Sequence, residues 1–407
     1  MKPTYKPTVI IVTALAVALC TVAEVLCQLE WTKYEGNPVM VSDPSSWEKE
    51  GVAASSIIFD GTTYKMWYWG NVSIYERIGY ATSFDGISWD KCPSNPVITI
   101  GAIGSWESTW VLAPSVVFDG AIYHMWYNGG SANPPTCIIG YATSLDGISW
   151  EKYDGNPVLT TGPPGNWDSY MLWCPKVILV DSVFHMWYGA SEAGYNWRIG
   201  YATSRDGKDW TKHPDNPVME LGEPGSWDNK QHQVPFYIQM KGSTFRMFYH
   251  AIGGSPQAMR IGIAESEDGV HWTKYEGNPI LDIGSPGTWD EANVEGPILT
   301  FDGSTYSMWY TGTAGGFIQT SIGLATSTPN QHDIKVMSTP AYLLSVPILI
   351  NEGITPQLKI NNIGLTDEFN VPVTCIIDSA GFVVYSNTKT IDTLMSQDMK
   401  FTEVKFD

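Results

Sequence analysis

Four carboxylates, Glu295, Glu50, Asp168 and Asp290, stand at positions suited to proton transfer, and Trp110, Tyr170, Trp173, Gln231, His232, Asn293 and Glu192 fall around them in a common register. The register comes from an internal repeat. A Trp followed by an acid opens each copy, at Trp47, Trp106, Trp167, Trp227 and Trp289, and the columns three to seven residues later are where the copies part company. Glu50 stands there in the first copy, Trp110 in the second, Tyr170 and Trp173 in the third, Gln231, His232 and Gln233 in the fourth, and Asn293 and Glu295 in the fifth. What recurs in every copy serves the fold, so what breaks the pattern is a candidate for function. Carboxylates, amides and exposed rings around one concavity suit a sugar, because rings stack on its apolar face and polar groups bond its hydroxyls. The acid after each Trp (Glu48, Glu107, Asp168, Asp228, Asp290) recurs throughout and reads first as a turn or cap carboxylate, with Asp168 and Asp290 kept as candidates. His232 reads as an ordinary hydrogen-bonding group before a metal or water ligand, and Arg77, Arg198 and Arg260 read as structural before substrate clamps.

The elements that must position these residues are short strands. Near-copies of one phrase, EWTKYEGNPVM, SWDKCPSNPVI, SWEKYDGNPVL, DWTKHPDNPVM and HWTKYEGNPIL, recur at intervals of 58 to 62 residues around Trp31, Trp89, Trp150, Trp210 and Trp272. Between them run an inner apolar stretch, an Asp-Gly turn, a Met-Trp-Tyr triplet, a variable loop, an IGYATS-type stretch and a second Asp-Gly turn. That order predicts a four-stranded antiparallel meander per copy. The triplets (Met66, Met125, Met186, Met308, with Met247-Phe248-Tyr249 in the fourth copy) read as packing between neighbouring sheets. The fifth copy ends at GLATSTPN without its Trp phrase, and Glu30 to Met40 is a Trp phrase with nothing before it. The expected fold is therefore all-β, a five-bladed β-propeller closed by the N-terminal strand.

From about Ile334 the pattern changes to short alternating stretches (LLSVPILI, PQLKINNIG, NVPVTCIID, FVVYS, MKFTEVKFD), and the expectation is a small immunoglobulin-like β-sandwich, truncated or without its last strand. At the other end, Lys2, Lys6 and the apolar run Val9 to Ala23 have the layout of a secretory signal. The expected division is 1–23 signal peptide, 24–333 propeller and 334–407 sandwich, in a secreted, periplasmic or cell-surface protein. A formal net charge of -19 disfavours nucleic acid and anionic membrane surfaces as partners. Cys92, Cys137, Cys174 and Cys375 show no metal-ligand spacing. No cofactor is expected beyond a candidate calcium ion on the propeller axis, and the expected state is a monomer binding carbohydrate.

With its fivefold repeat, the Trp-acid, Asp-Gly and Met-Trp-Tyr pattern and the segment Val294-Glu295-Gly296-Pro297, the stretch from about Glu30 to Asn330 resembles five-bladed glycoside hydrolases of family 43 and its relatives, families 32, 62, 68 and 130. The resemblance implies an O-glycosyl hydrolase whose general acid is Glu295, a Glu before Gly-Pro on an inner strand. A Glu in a partly apolar funnel can hold a proton long enough to give it to a leaving oxygen. Such families also bring a base or nucleophile Asp, often as Asp-Pro. Two copies before Glu295, where it would be expected, this chain has Trp173-Cys174-Pro175. A second carboxylate must then come from Glu50, Asp168, Asp290, Glu291 or Glu192; without one, the reading becomes a carbohydrate-binding or interaction propeller that does no chemistry.

Overall fold

Asp-Gly turns at fixed intervals, with β-branched and aromatic residues between them, favour strands over helices. The computed structural model describes residues 30–193, 196–230, 233–302, 305–315 and 319–327, and beyond them 334–337, 357–362, 368–379, 382–394 and 402–405. Among these residues there are strands and turns only. Among the described residues no helix is long and apolar enough to cross a membrane. The apolar run near the start and the LLSVPILI segment lie outside the described residues.

Residues Glu30–Ser327 form one compact unit. It begins with β1 (Thr32–Lys33) and continues in meanders of four antiparallel strands. The first is β2 (Gly51–Phe59), β3 (Tyr64–Val72), β4 (Tyr75–Ser83) and β5 (Asp90–Lys91). The second is β6 (Trp110–Phe118), β7 (Tyr123–Ala132), β8 (Pro135–Ser144) and β9 (Glu151–Lys152). The third is β10 (Met171–Val180), β11 (Val183–Ser191), β12 (Trp197–Ser204) and β13 (Thr211–Lys212). The fourth is β14 (Gln233–Lys241), β15 (Thr244–Gly253), β16 (Ala258–Ser266) and β17 (Thr273–Lys274). The last group, β18 (Asn293–Phe301), β19 (Tyr306–Thr313) and β20 (Thr320–Ser327), takes its fourth strand from the start of the chain. Thr32 pairs with Thr326 and Lys33 with Ala325 in antiparallel register, and Met40 bridges Ile322. The inner strands touch in cyclic order: β2 against β6, β6 against β10, β10 against β14, β14 against β18 and β18 against β2.

Neighbouring meanders are locked by the tryptophan of the Met-Trp-Tyr triplet. Trp67 Nε1 donates to the Gly147 carbonyl, Trp126 to Gly207, Trp187 to Gly269 and Trp309 to Gly86, each at 2.8 Å. Every acceptor is the glycine of an Asp-Gly turn. It sits at positive φ, and a Cβ there would meet the incoming indole at 2.7 to 2.9 Å, so no other residue satisfies both the turn and the packing. The same carbonyl receives the indole of the Trp three residues on, as Gly86 does from Trp89. Phe248 breaks the series. Among the described residues the Trp31 indole N–H has no hydrogen-bond partner.

The remaining strands are described by themselves. β21 (Ile334–Met337), β22 (Gln357–Asn362) and β25 (Thr402–Lys405) form one antiparallel sheet, and β23 (Glu368–Ser379) pairs with β24 (Phe382–Leu394) in another. β24 runs well beyond the expected FVVYS, because the Thr- and Ile-rich stretch after it has the alternation of a strand.

Across this fold the acid after each opening Trp is buried and clamped. In the last group Asp290 accepts from Lys33 Nζ at 2.7 Å and from the Tyr310 hydroxyl at 3.0 Å. Lys33→Ala strands that carboxylate, and the expected loss is about 2 kcal/mol in urea unfolding, the range for a hydrogen bond to a charged group. Hydrogen exchange of the β20 amides should accelerate with it. An unchanged urea midpoint would show that β1 is dispensable.

Candidate functional site

On each inner strand the ladder slips at the same place, between Ala54 and Ser56, Leu112 and Ser115, Trp173 and Lys176, Pro235 and Tyr237, and Glu295 and Ile298. A bulge inserts an unpaired residue and re-aims its neighbours. In three strands the residue at the slip takes a left-handed conformation, at Ala113, Cys174 and Gly296, with φ of 49°, 47° and 63°. Strain held in a non-glycine residue is a mark of functional surfaces. The residues just before the slip are Leu112, Trp173 and Glu295.

The strand ends before these slips gather an aromatic surface. Buried Leu112, Ala113, Cys174, Trp197, Val234 and Phe236 pack with the partly exposed Trp69, Trp110, Met171 and Trp173. Trp173 stands edge-on to Trp197 at 6.0 Å. Trp110 rests against Gly130, where a Cβ would fall 1.7 Å from its indole nitrogen, so the glycine is the condition for the ring's position. Glu295 joins this surface with its side chain 21% exposed. Burial raises its carboxyl to about 7, so it holds a proton near neutrality. His250, on β15, places Nδ1 3.7 Å from Glu295 Oε2 and packs on Phe236.

A second carboxyl is shifted in the same way. Glu76, half-buried on β4, is also raised to about 7, by burial. Its residue pairs in parallel with Trp110, joining the first two meanders at one corner. The Cys174 thiol is pushed up by burial, held back by Lys176, and pushed further by the charges of Glu295 and Glu76. Beneath them Lys176 is buried, its ammonium donating to Ser55 O at 2.8 Å, Ser55 Oγ at 3.2 Å and Pro114 O at 3.4 Å, over the Phe236 ring. Burial lowers it to about 8. A calcium ion in the centre would compete with this ammonium for the same carbonyl oxygens, so the donor set does not fit a metal. Among the described residues no cluster of three or more His, Cys, Asp or Glu is placed to hold one.

The other candidates fall in different places. Asp168 takes Lys212 Nζ at 2.5 Å, and Asp290 takes Lys33, Tyr310 and Thr288, so both are committed to clamps inside their own meanders. Glu50 accepts the backbone N–H of Ser73 at 2.8 Å on an exposed hairpin. Asn293 stitches β18 to β16 by accepting from Met259 N at 2.9 Å while donating to Thr313 Oγ1 at 3.1 Å. Glu192 accepts from Asn196 Nδ2 at 2.7 Å, and Tyr170 is half-buried with its N–H on Ser191 O. Gln231 and His232 lie outside the described residues. Trp110 and Trp173 meet on the aromatic surface, with Glu295 beside them.

Glu76, Trp69, His250 and Lys176 were not singled out from the sequence, although three of them carried a usable signal. The position after the aromatic triplet reads Trp69, Asn128, Gly189, His250 and Thr311. The matching position on the third strand reads Glu76, Cys137, Trp197, Met259 and Thr320. Both columns break the repeat as sharply as those on the inner strand.

No protein-family model matches the chain. An uncharacterized protein of Mycobacterium tuberculosis is 29% identical over 208 residues, 49% of this chain and 66% of that protein's length. A 1,2-β-oligomannan phosphorylase of Thermoanaerobacter sp. is 27% identical over 228 residues, 53% of this chain and 70% of the relative. Among solved structures, a glycoside hydrolase superposes with a TM-score of 0.59 at 18% identity, covering 74% of this chain and 93% of that one. A structure from glycoside hydrolase family 130, whose mannoside phosphorylases include glycoside hydrolases that target β-1,2-mannosidic linkages in Candida mannan, superposes with a TM-score of 0.54 at 15% identity, covering 74% and 94%. These relatives and neighbours include glycoside hydrolases and mannoside phosphorylases, and the chain shares their propeller-type fold.

The raised carboxyl of Glu295 has a consequence for stability. Below about pH 4.5 it is protonated folded and unfolded alike; as pH rises to 7 only the unfolded chain ionises, and stability drains away. Glu295→Gln removes the drain. The variant should match wild type at pH 4.5 and exceed it at pH 8 by up to about 3 kcal/mol in urea unfolding. Equal stability at both pH values would mean a well-solvated carboxylate.

Proposed function

We propose that this protein is a secreted glycoside hydrolase acting on an oligosaccharide or polysaccharide, with Glu295 as general acid. Its body on this reading is a five-bladed propeller completed by β1, and residues 334–407 are an immunoglobulin-like spacer. The observation that carries the proposal is the position of Glu295: a protonated carboxyl, one-fifth exposed, at the edge of a tryptophan surface. An acid of that kind can deliver its proton to a departing glycosidic oxygen, while the indoles of Trp69, Trp110 and Trp173 hold sugar rings by stacking. The relatives narrow the first substrates to try to β-1,2-linked mannosides.

Phosphorolysis is the second reading, favoured by the names of the Thermoanaerobacter relatives. It requires a cationic cradle for inorganic phosphate. Lys176 is spent on carbonyl oxygens, which favours water as the acceptor.

Incubation with β-1,2-mannobiose, longer β-1,2-mannans and a panel of aryl glycosides, with and without phosphate, tests both. Hydrolysis predicts free sugar at a rate independent of phosphate, and a fall in kcat of about 100-fold or more for Glu295→Gln. Sugar 1-phosphate formed only with phosphate would establish the second reading. Binding without turnover, equal in wild type and variant, would leave a lectin-like propeller. Trp173→Ala should raise KM more than it lowers kcat, since stacking is made in ground and transition states alike.

A further inference from the structure

Backbone groups at a bulge lose their ladder partners and must find others. At the slip on β10, Trp173 still pairs with Gly189 and Lys176 already pairs with Trp187, so Cys174 between them is paired with no residue of β11. Its N–H donates instead to Asn128 Oδ1 at 2.6 Å, across to the neighbouring meander. The same amide donates from Nδ2 to the Leu172 carbonyl at 3.0 Å, and at 3.5 Å to Ile138 O on β8 of its own meander. Asn128 is fully buried on β7. An N–H needs an acceptor and a carbonyl needs a donor, and the amide supplies one of each. One side chain therefore grips the backbone on both sides of Trp173. The position is not repeated: it is Trp69, Gly189, His250 and Thr311 in the other copies, whereas the residue before it is a tyrosine in all five. A group that served the fold in general would recur as that tyrosine does.

We infer that Asn128 is the positioning residue for Trp173, holding the indole in the pose in which it stacks on a sugar ring; the sugar rests on the reading of the aromatic surface as a carbohydrate site. The Trp173 side chain leaves the strand between the two pinned peptide groups, so the direction of its first bond is set by them. Cys174 beside it is left-handed, with φ of 47°, a conformation that persists in a non-glycine residue only where its surroundings hold it. Trp197, edge-on at 6.0 Å, then limits the ring from one side. A ring already in place loses little further freedom when a sugar arrives, and releasing one such side chain weakens binding about 3- to 10-fold. The effect falls on KM before kcat, because stacking is made in ground and transition states alike. Asn128 itself is buried and acts through Trp173.

The test uses the full chain with β-1,2-mannobiose, or the sugar of the panel that the wild type cleaves, and two variants: Asn128→Leu, which keeps the volume and removes the bonds, and Asn128→Ala. In either, KM should rise about 3- to 10-fold while kcat falls less. In a Trp173→Ala background the same substitutions should leave KM where Trp173→Ala alone puts it. A rise of equal size with and without Trp173 overturns the inference, because Asn128 would then reach the site by another route. A second readout needs no turnover. In the chain labelled with 5-fluorotryptophan, the fluorine resonance of Trp173, assigned by its loss in Trp173→Phe, should shift or broaden in Asn128→Leu while that of Trp309, assigned likewise, holds still. An unmoved Trp173 resonance overturns the inference. A wild type that neither binds nor cleaves any sugar of the panel, with the Trp173 resonance still answering to Asn128, leaves the positioning intact and overturns the carbohydrate reading instead. Melting curves of both variants separate a displaced ring from a lost fold.

Discussion

One buried ion pair, repeated in each meander, holds this architecture together. A carboxylate placed just after the opening Trp is removed from water and must be met by a cation, and a lysine on the outermost strand meets it. The lysine ties the outermost strand to the start of the innermost, and tyrosines such as Tyr68 and Tyr127 add a middle-strand hydroxyl. Each clamp spans its meander, so the strands cannot slide without stranding a charge. In the last group the clamp joins Lys33 to Asp290 across 257 residues of sequence, which couples the start of the chain to its last group of strands.

That regularity is what gives the exceptions meaning. Phe248 stands where the other repeats have the tryptophan of the triplet. Glu76 and Glu295 are acids without a lysine. Gly130, Ala113 and Cys174 depart from the pattern beside the tryptophans. The others stand on or beside one aromatic surface to which the first four repeats contribute.

Much of the fold was legible in the chain. The spaced Trp phrases and Asp-Gly turns mark the strands, and the orphan phrase at Glu30 to Met40 marks the partner of β20, because turn chemistry and alternation act between neighbours in sequence. Glu295 stands out in the same way, as a break in its column of the repeat. Asp168 and Asp290 read first as turn or cap carboxylates and stayed candidates, since their lysines stand more than forty residues away and only folding shows that they are spent.

The sequence alone determined the all-β class, the period, the boundaries of the meanders and the shortage of a second inner-strand carboxylate, all of which follow from local propensities and from counting like against like. Tertiary structure decided which carboxylates are paired and which are not. Desolvation and ion pairing depend on what surrounds a side chain in space, and Glu76 meets the next repeat through its pairing with Trp110.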